Sequence, residues 1–370
     1  MSAAASARVL HVLPHPGGGG EAYVERLAGL RGYRMDRVFL AETPDERRLA
    51  VAGAALRASW HARRYDLVHL HGEVVAALCL PAMLARPAVV TLHGLHLLRR
   101  SIGAQRLAAT AGLRATACLA RRMICVSLEE LAEASALLGP SARSRLAYIP
   151  NGVPVGDPPS AVERRRARAA LGIGEEATVG VFVGALEAYK DPATAVRAAL
   201  QVRREGIPLV LLLAGEGSLR SELSRLSAAA PDGLRLLGHR SDVTDVLSAA
   251  DFFVLPSLRE GLAFALLEAM HAGLAPVVSD APGNVEAVGE SGIVVRRGSV
   301  ERFAEAFRLL ATDSSRRATL GAAARARVVT SYSLEGMLAS TARVYDDALS
   351  RAAGAARPER SWKRRAGRRG

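Results

Sequence analysis

Short runs of Val, Leu and Ile recur along this chain, each followed by a longer stretch of helical period, and the whole alternation occurs twice. Strands that are apolar along their full length must be covered on both faces, so each series predicts a parallel sheet between layers of helices. The first series predicts strands at Val9 to Leu13, Asp36 to Leu40, Leu67 to Leu70, Ala88 to Leu92 and Met123 to Val126. The second predicts Val179 to Val183, Leu209 to Ala214, Leu234 to Leu237, Phe252 to Leu255, Ala275 to Val278 and Gly292 to Val295. Between them, Ile149-Pro150-Asn151-Gly152-Val153-Pro154 and Gly156-Asp157-Pro158-Pro159 are too rich in Pro and Gly for the interior of a helix or strand, and mark a boundary. The fold class expected is therefore α/β, with two Rossmann-like α/β/α domains facing each other across a cleft.

The length of 370 residues suits that division. Residues 1–152 are expected to form the first domain, 153–333 the second, 334–352 a helix returning to the first, and 353–370 a disordered basic tail. The amphipathic stretches Ser299 to Leu310, Ser314 to Val329 and Leu334 to Leu349 supply the last helices.

Charge and composition remove several classes of function. The net charge is +13, and seven of the basic residues lie between Arg357 and Gly370 against Glu359 alone. Such a tail can attract anionic head groups or stay solvated without a partner. With aromatic residues at 4% and no recognition module, a nucleic-acid partner is not expected. Cys79, Cys118 and Cys125 lack metal or disulfide spacing and read as small buried hydrophobes in a reducing compartment. The first residues lack the order of a secretory signal. The longest apolar run, Val74 to Ala85, is broken by Pro81 and falls short of the ~20 residues that span a bilayer. A cytoplasmic protein is expected, with any membrane contact peripheral. Leu97 to Met123, with Arg99, Arg100, Arg106, Arg114, Arg121 and Arg122 among apolar residues, reads either as a basic amphipathic surface or as a helix packed on its own sheet.

The most informative segment is Pro256 to Met270, directly after the strand Phe252 to Leu255. It reads as strand, loop, helix, with a helix starting near Gly261 or Leu262 whose N–H groups and positive dipole end suit a phosphate. Glu260 precedes that helix and Glu268 lies near its second turn, so the two carboxylates can accept hydrogen bonds from a sugar and a ribose. Taken alone, they read equally well as a helix-terminal charge and a solvated face. Lys190 lies in Gly184-Ala185-Leu186-Glu187-Ala188-Tyr189-Lys190-Asp191, after the strand Val179 to Val183. It is one of two lysines, with Lys363, among 49 basic residues, and a compact point charge suits a diphosphate. His93 closes the strand Ala88 to Leu92, with His96 a weaker companion and His69 and His71 shaping the same edge. Pro16 to Glu21 supplies glycines where backbone can approach a ligand, without a clean dinucleotide fingerprint.

Glu260 and Glu268, with seven residues between them, resemble the E-x7-E signature of the retaining glycosyltransferases of family 4, whose architecture is called GT-B. The resemblance extends in order through Asp66 to His71, Thr91 to Gly94, Ile149 to Val153, Gly184 to Asp191, Gly215-Glu216-Gly217, Leu237-Gly238-His239, Ala272 to Val278 and Gly283 to Glu286. It implies a nucleotide-sugar donor and a glycan or lipid-linked acceptor, retention of configuration, and no metal or other cofactor. No Asp-x-Asp cluster provides for one. It implies catalytic roles for His93, Glu260 and Lys190. Donor contacts are implied at Gly184, Lys190, Glu216, His239, Glu260, Gly261, Leu262, Ala263, Phe264, Ala265 and Glu268, and a donor or acceptor-facing loop at Gly18 and Gly19. It associates the chain with cell-envelope, exopolysaccharide or glycolipid synthesis. The sequence departs from the family at Ala185, where an Arg is usual, so a diphosphate contact must come from elsewhere, Arg259 or Arg240 being the candidates. Two other readings are a nucleotide-sugar epimerase of the same shape and a non-catalytic glycan or lipid-carrier binding protein.

Overall fold

The computed structural model describes residues 6–43, 46 and 48–355, so the basic segment Arg357 to Gly370 lies outside the described residues. The first sheet contains β1 (Ala7–Leu13), β2 (Tyr33–Phe39), β3 (Leu67–His71), β4 (Ala88–Thr91), β5 (Arg122–Cys125) and β6 (Leu146–Tyr148). The second contains β7 (Thr178–Val183), β8 (Leu209–Ala214), β9 (Leu234–Gly238), β10 (Phe252–Leu255), β11 (Ala275–Ser279) and β12 (Ile293–Val295). Every pairing is parallel, in the orders β2-β1-β3-β4-β5-β6 and β12-β11-β10-β7-β8-β9. The fold is α/β of GT-B type. Strand β6 escapes a reading by pattern because it has three residues and runs straight into Pro150.

The strand orders say where a ligand belongs. In each sheet the chain starts in the middle and reverses direction once, between β1 and β3 in the first and between β7 and β10 in the second. Loops leaving strands on either side of such a reversal part from each other and open a crevice at the carboxyl ends. The segments after β1, β7 and β10 carry Gly18, Lys190 and Glu260 respectively, and β3 ends on His71.

The chain passes between the lobes at two places, and these are laced together. Val153 N–H donates to Tyr332 O at 2.9 Å and Leu334 N–H to Val153 O at 2.8 Å, making an isolated parallel bridge between Val153 and Ser333. Gly152 is required there, since a Cβ would stand 2.4 Å from Ser333 O. The helix Leu334–Ala355 then lies back on the first sheet, where Tyr345 is wholly buried and Arg122 pairs with Asp347 at 2.7 Å.

Two expectations, for Cys118 and for Gly18 and Gly19, are corrected. Cys118 is exposed, whereas Cys79 and Cys125 are buried. The stretch Leu97 to Met123 divides into helices His96–Arg100 and Gly103–Leu119 and the start of β5, with Leu98, Leu113 and Ala117 buried, Arg99 tied to Glu129 and Glu133 at 2.7 and 2.8 Å, and Ile102, Arg106 and Leu107 exposed. Gly18 and Gly19 are not in a loop but in the first turn of helix Gly18–Leu27, where an added Cβ at either would meet open space.

Candidate active site

Lys190 is placed by the helix that follows it. Asp191 caps helix Pro192–Arg204 from a left-handed conformation, accepting from Thr194 Oγ1 at 2.7 Å, and Pro192 presets the first turn. The loop before it is pinned by Leu186 N–H donating to Glu216 O at 2.8 Å and Lys190 N–H donating to Glu187 O at 2.9 Å. Opposite, the loop after β10 is tied in by Leu258 N–H donating to Tyr189 O at 2.8 Å. The two loops meet at the side chains. Lys190 Nζ donates to Glu260 Oε1 at 2.6 Å, with the side chains 15% and 8% exposed, so this pair is largely withdrawn from water. Burial pulls the ammonium pKa down, but the Glu260 charge, the Tyr189 hydroxyl and the Glu260 hydrogen bond outweigh it and hold Lys190 above its ordinary value. Lys190 is therefore a cation held ready beside a polyol-binding carboxylate.

The neighbouring helix spans Phe264–His271, with Ala263 at its N-cap, three residues later than Gly261. Leu262 and Ala263 favour helix, yet both stay outside it, Ala263 with an extended backbone. Asn151 Nδ2 donates to Leu262 O at 2.6 Å, and a Cβ on Gly283 would fall 1.5 Å from Gly261 O. Thus of the expected backbone donors Gly261, Leu262 and Ala263 precede the helix, while Phe264 and Ala265 carry its unsatisfied N–H groups. Glu268, one turn on, is paired across the lobes with Arg26, whose guanidinium lies 3.9 Å above the Phe264 ring. Burial raises the Glu268 carboxyl despite the opposing Arg26 charge.

The first lobe contributes His93 and His96. His93 adopts φ 58, unusual for a residue with a side chain, and its backbone faces Gly261, whose added Cβ would stand 3.6 Å from His93 C. His96 is close enough to Glu260, Arg259 and Lys190 to feel their charges, and desolvation by the surrounding cleft is the main cause that lowers its pKa. The structure thus brings Lys190, Glu260, Gly261, His93 and His96 to one place. Gly184 leads from β7 toward it, donating its N–H to Ala214 O at 3.0 Å. Glu216 stands one hydrogen bond away through Leu186, its side chain half exposed against Arg220. His239 is exposed at the end of β9 and makes no contact with this group among the described residues. Arg240 is committed to Asp242 by bonds of 2.8 and 2.5 Å, so of the two replacements for the missing arginine only Arg259 borders the site.

Glu130 and His11, which a sequence reading passes over, join Glu286, His69 and His71 in holding the site. Glu130 is wholly buried and accepts from Gly94 N–H and Val126 N–H, clamping the His93 turn to the end of β5; burial pushes its carboxyl up to about 7. Glu286 bridges the lobes, accepting from Leu128 N–H at 2.7 Å and Tyr148 Oη at 2.8 Å. Beneath His93 lie His11, His69 and His71, fully buried, with ring nitrogens of all three within 4.8 Å. Such a trio invites a metal reading. However, His11 Nδ1 and His71 Nε2 are 2.9 Å apart, and His69 is engaged by Tyr345 Oη at 2.6 Å and Thr91 Oγ1 at 2.7 Å. Two imidazoles on one tetrahedral ion with bonds of ~2.0–2.1 Å would hold their nitrogens further apart than this. The spacing is that of hydrogen-bonded rings.

The family model described as Glycosyltransferase Family 4 matches residues 4–156, and that described as Glycosyl transferases group 1 matches residues 163–327. Together they take in both lobes. The chain belongs to the family 4 glycosyltransferases. It is 31% identical over 235 residues to the Escherichia coli UDP-Gal:alpha-D-GlcNAc-diphosphoundecaprenol alpha-1,3-galactosyltransferase, covering 60% of this chain and 59% of that protein. It is 29% identical over 294 residues to D-inositol 3-phosphate glycosyltransferase 1 of Catenulispora acidiphila, covering 70% of this chain and 67% of that protein. Among solved structures, the Anabaena HepE complex with UDP-glucose superposes with TM-score 0.78 over 92% of this chain and 99% of that one, at 18% identity. In this family member the loops after β7 and β10 bring Lys190 and Glu260 together as a pair.

Proposed function

We propose that the protein transfers a sugar, with retention of configuration, from a nucleoside diphosphate donor to a hydroxyl of a glycan or lipid-linked acceptor, in envelope polysaccharide or glycolipid synthesis. The observation that carries this reading is the buried Lys190–Glu260 pair at the β7 and β10 loops, beside the open N–H groups of Phe264 and Ala265. On donor binding the diphosphate takes over Lys190 and those N–H groups, and Glu260 turns to the sugar hydroxyls. Arg26 releases Glu268 to the ribose. The acceptor oxygen then bonds to the anomeric carbon on the face the diphosphate leaves, the bond to the phosphate oxygen breaks, the hydroxyl proton passes to the departing diphosphate, and the charge remaining there meets preorganised donors. Arg259 takes the place left by Ala185. No metal is required by this scheme. Relatives named for transfer to a diphosphoundecaprenol-linked sugar and to inositol 3-phosphate, and a fold neighbour crystallised with UDP-glucose, support it.

A thermal-shift panel of UDP, GDP, ADP and their sugars is expected to single out one nucleotide. A ligand at ~100 times its Kd adds about 2.7 kcal/mol to stability. Proton NMR of the product, formed with acceptor present, should show the donor's anomeric configuration. Inverted product would defeat the retaining reading, donor conversion without acceptor would favour the epimerase, and donor binding without turnover would favour the binding protein.

Membrane contact is proposed for a different face from Leu97 to Met123. No described helix is long and apolar enough to cross a bilayer. Helices Arg48–His61 and Leu80–Ala85 pack together and present Leu56, Trp60 and Leu84 at 64%, 68% and 73% exposure. Exposed Arg57, Arg63, Arg64 and Arg86 surround them, Arg63 lying 4.2 Å over the Trp60 ring. An apolar tip ringed by arginines suits an anionic leaflet, each basic residue adding ~1 kcal/mol near the surface. In co-sedimentation, binding to phosphatidylglycerol vesicles but not to phosphatidylcholine vesicles is expected, and Trp60→Ser with Arg63→Ser should weaken it at least about tenfold. Equal binding by this double variant would overturn the assignment.

A further inference from the structure

The histidines under the site form a continuous hydrogen-bonded chain. His11 Nδ1 lies 2.9 Å from His71 Nε2, and His71 Nδ1 lies 3.0 Å from His93 Nε2. The rings of His11 and His71 are stacked at 5.2 Å, as are those of His71 and His93 at 5.3 Å, with the Tyr23 ring edge-on to His93 at 5.1 Å. The sheet builds this array. His69 and His71 are two residues apart on β3 and share a face, and His11 on β1 lies opposite His69 in register. At the inner end His11 Nε2 is buried with no hydrogen-bond partner. At the outer end His93 is only half-buried, and Nδ1 makes no hydrogen bond among the described residues.

Neutral imidazole has one N–H and one bare nitrogen, so the chain of three rings can run in two directions. If the N–H groups point inward, from His93 toward His11, then His11 must carry its proton on Nε2, and a buried donor is stranded. If they point outward, His11 Nε2 keeps only a bare lone pair. A stranded buried N–H is the rarer and costlier defect, as backbone groups show. The outward direction also places the last N–H on His93 Nδ1, the end with access to solvent or ligand.

We propose that His11 and His71 are positioning residues that fix the tautomer and ring orientation of His93, so that it presents Nδ1–H as a hydrogen-bond donor to the cleft. The inference deepens the transferase reading, since a sugar or developing oxyanion in the cleft would meet a donor already oriented, with no rearrangement needed when charge develops. His69 stands outside the chain. It is held by Thr91 and Tyr345 and supports the array from the side.

The test has an arm that needs no turnover. Long-range proton–nitrogen NMR of the full chain labelled with nitrogen-15 histidine, with His93 assigned by its loss in His93→Ala, is expected to show His93 protonated on Nδ1 and bare on Nε2. This is the reverse of the tautomer imidazole favours free in water. A His93 protonated on Nε2 in the unsubstituted protein overturns the proposal, whatever reaction the protein catalyses. In the kinetic arm, His71→Ala is expected to lower kcat on the order of tenfold with donor KM little changed, and His71→Asn, which keeps a donor near His93 Nε2, to recover most of it. In a His93→Ala background, His71→Ala should cost nothing more. Additive losses would show that His71 acts only through packing and would overturn the positioning role. If His71→Ala does not fold, the spectrum of the unsubstituted protein still decides. If no donor is turned over, the transferase reading fails while the tautomer result stands by itself.

Discussion

Lys190→Ala is expected to lower kcat/KM for transfer about 10²–10³-fold, the cost of removing one preorganised charge-stabilising donor at ~2.7–4 kcal/mol. The size follows from where the ammonium sits. Its side chain is 15% exposed and 2.6 Å from Glu260, in surroundings where little water can take over its role. The same variant leaves the Glu260 carboxylate buried without its partner, and such an orphaned charge costs more than the pair itself contributes. Lys190→Ala should therefore lose stability as well as activity. Adding Glu260→Gln should restore most of the lost Tm, because the buried charge is gone, and restore none of the turnover. Steady-state kinetics and calorimetry on the two single variants and the double one separate the contributions. Wild-type kcat/KM in Lys190→Ala would remove this residue from the chemistry.

Acidification is expected to destabilise the protein steeply. Burial lowers the pKa of His11 and of His93 to about 3 and holds His69 and His71 well below the ordinary 6.5. The folded state thus stays neutral at positions where the unfolded chain binds protons once the pH falls below 6.5. Stability supplied by such groups is complete above that value and is lost as pH falls toward the folded values. Each costs up to ~1.4 kcal/mol per pH unit below 6.5, so His11 and His93 can remove on the order of 4 kcal/mol between pH 7 and pH 5, and His69 and His71 act in the same direction. Glu130 acts with the opposite sign. Its folded value is raised to about 7, so its contribution is full below the ordinary 4.5 and fades as pH rises toward 7, offsetting part of the loss on acidification. Urea midpoints across pH 5–8 should fall on the acid side, and the decline should be shallower in His11→Phe. A midpoint independent of pH over this range would contradict the neutral, buried array.

What the sequence makes legible is what local pattern encodes. Strands buried along their whole length, such as β8 and β11, are apolar runs bounded by turn residues, and eleven of the twelve strands overlap a stretch expected from the sequence, β6 being the exception. Strand β6 and the onset of helix Phe264–His271 are different, because tertiary contacts decide them. Asn151 reaches 111 positions along the chain to hold Leu262 outside the helix. Lys190 is conspicuous as a lysine among arginines, and Glu260 by its distance from Glu268, so each is visible singly. Arg26 is not visible, since one arginine among so many carries no signal, and its pairing with Glu268 spans both lobes. Glu130 looks like an ordinary helix-start carboxylate after Ser127, and only the structure shows its reach to Gly94. The histidine array was half written in the spacing of His69 and His71; its third and fourth members need the register of β1 and the turn after β4.

The bridge between Val153 and Ser333 has a mechanical consequence. Because both strands that connect the halves are stitched side by side at a single point, the halves share one narrow axle and cannot translate past each other without tearing those bonds. Admission of a substrate is then a swing about that axle, widest at the rim farthest from Gly152, and every such swing must first undo the clasps of Arg26 on Glu268 and of Tyr148 on Glu286.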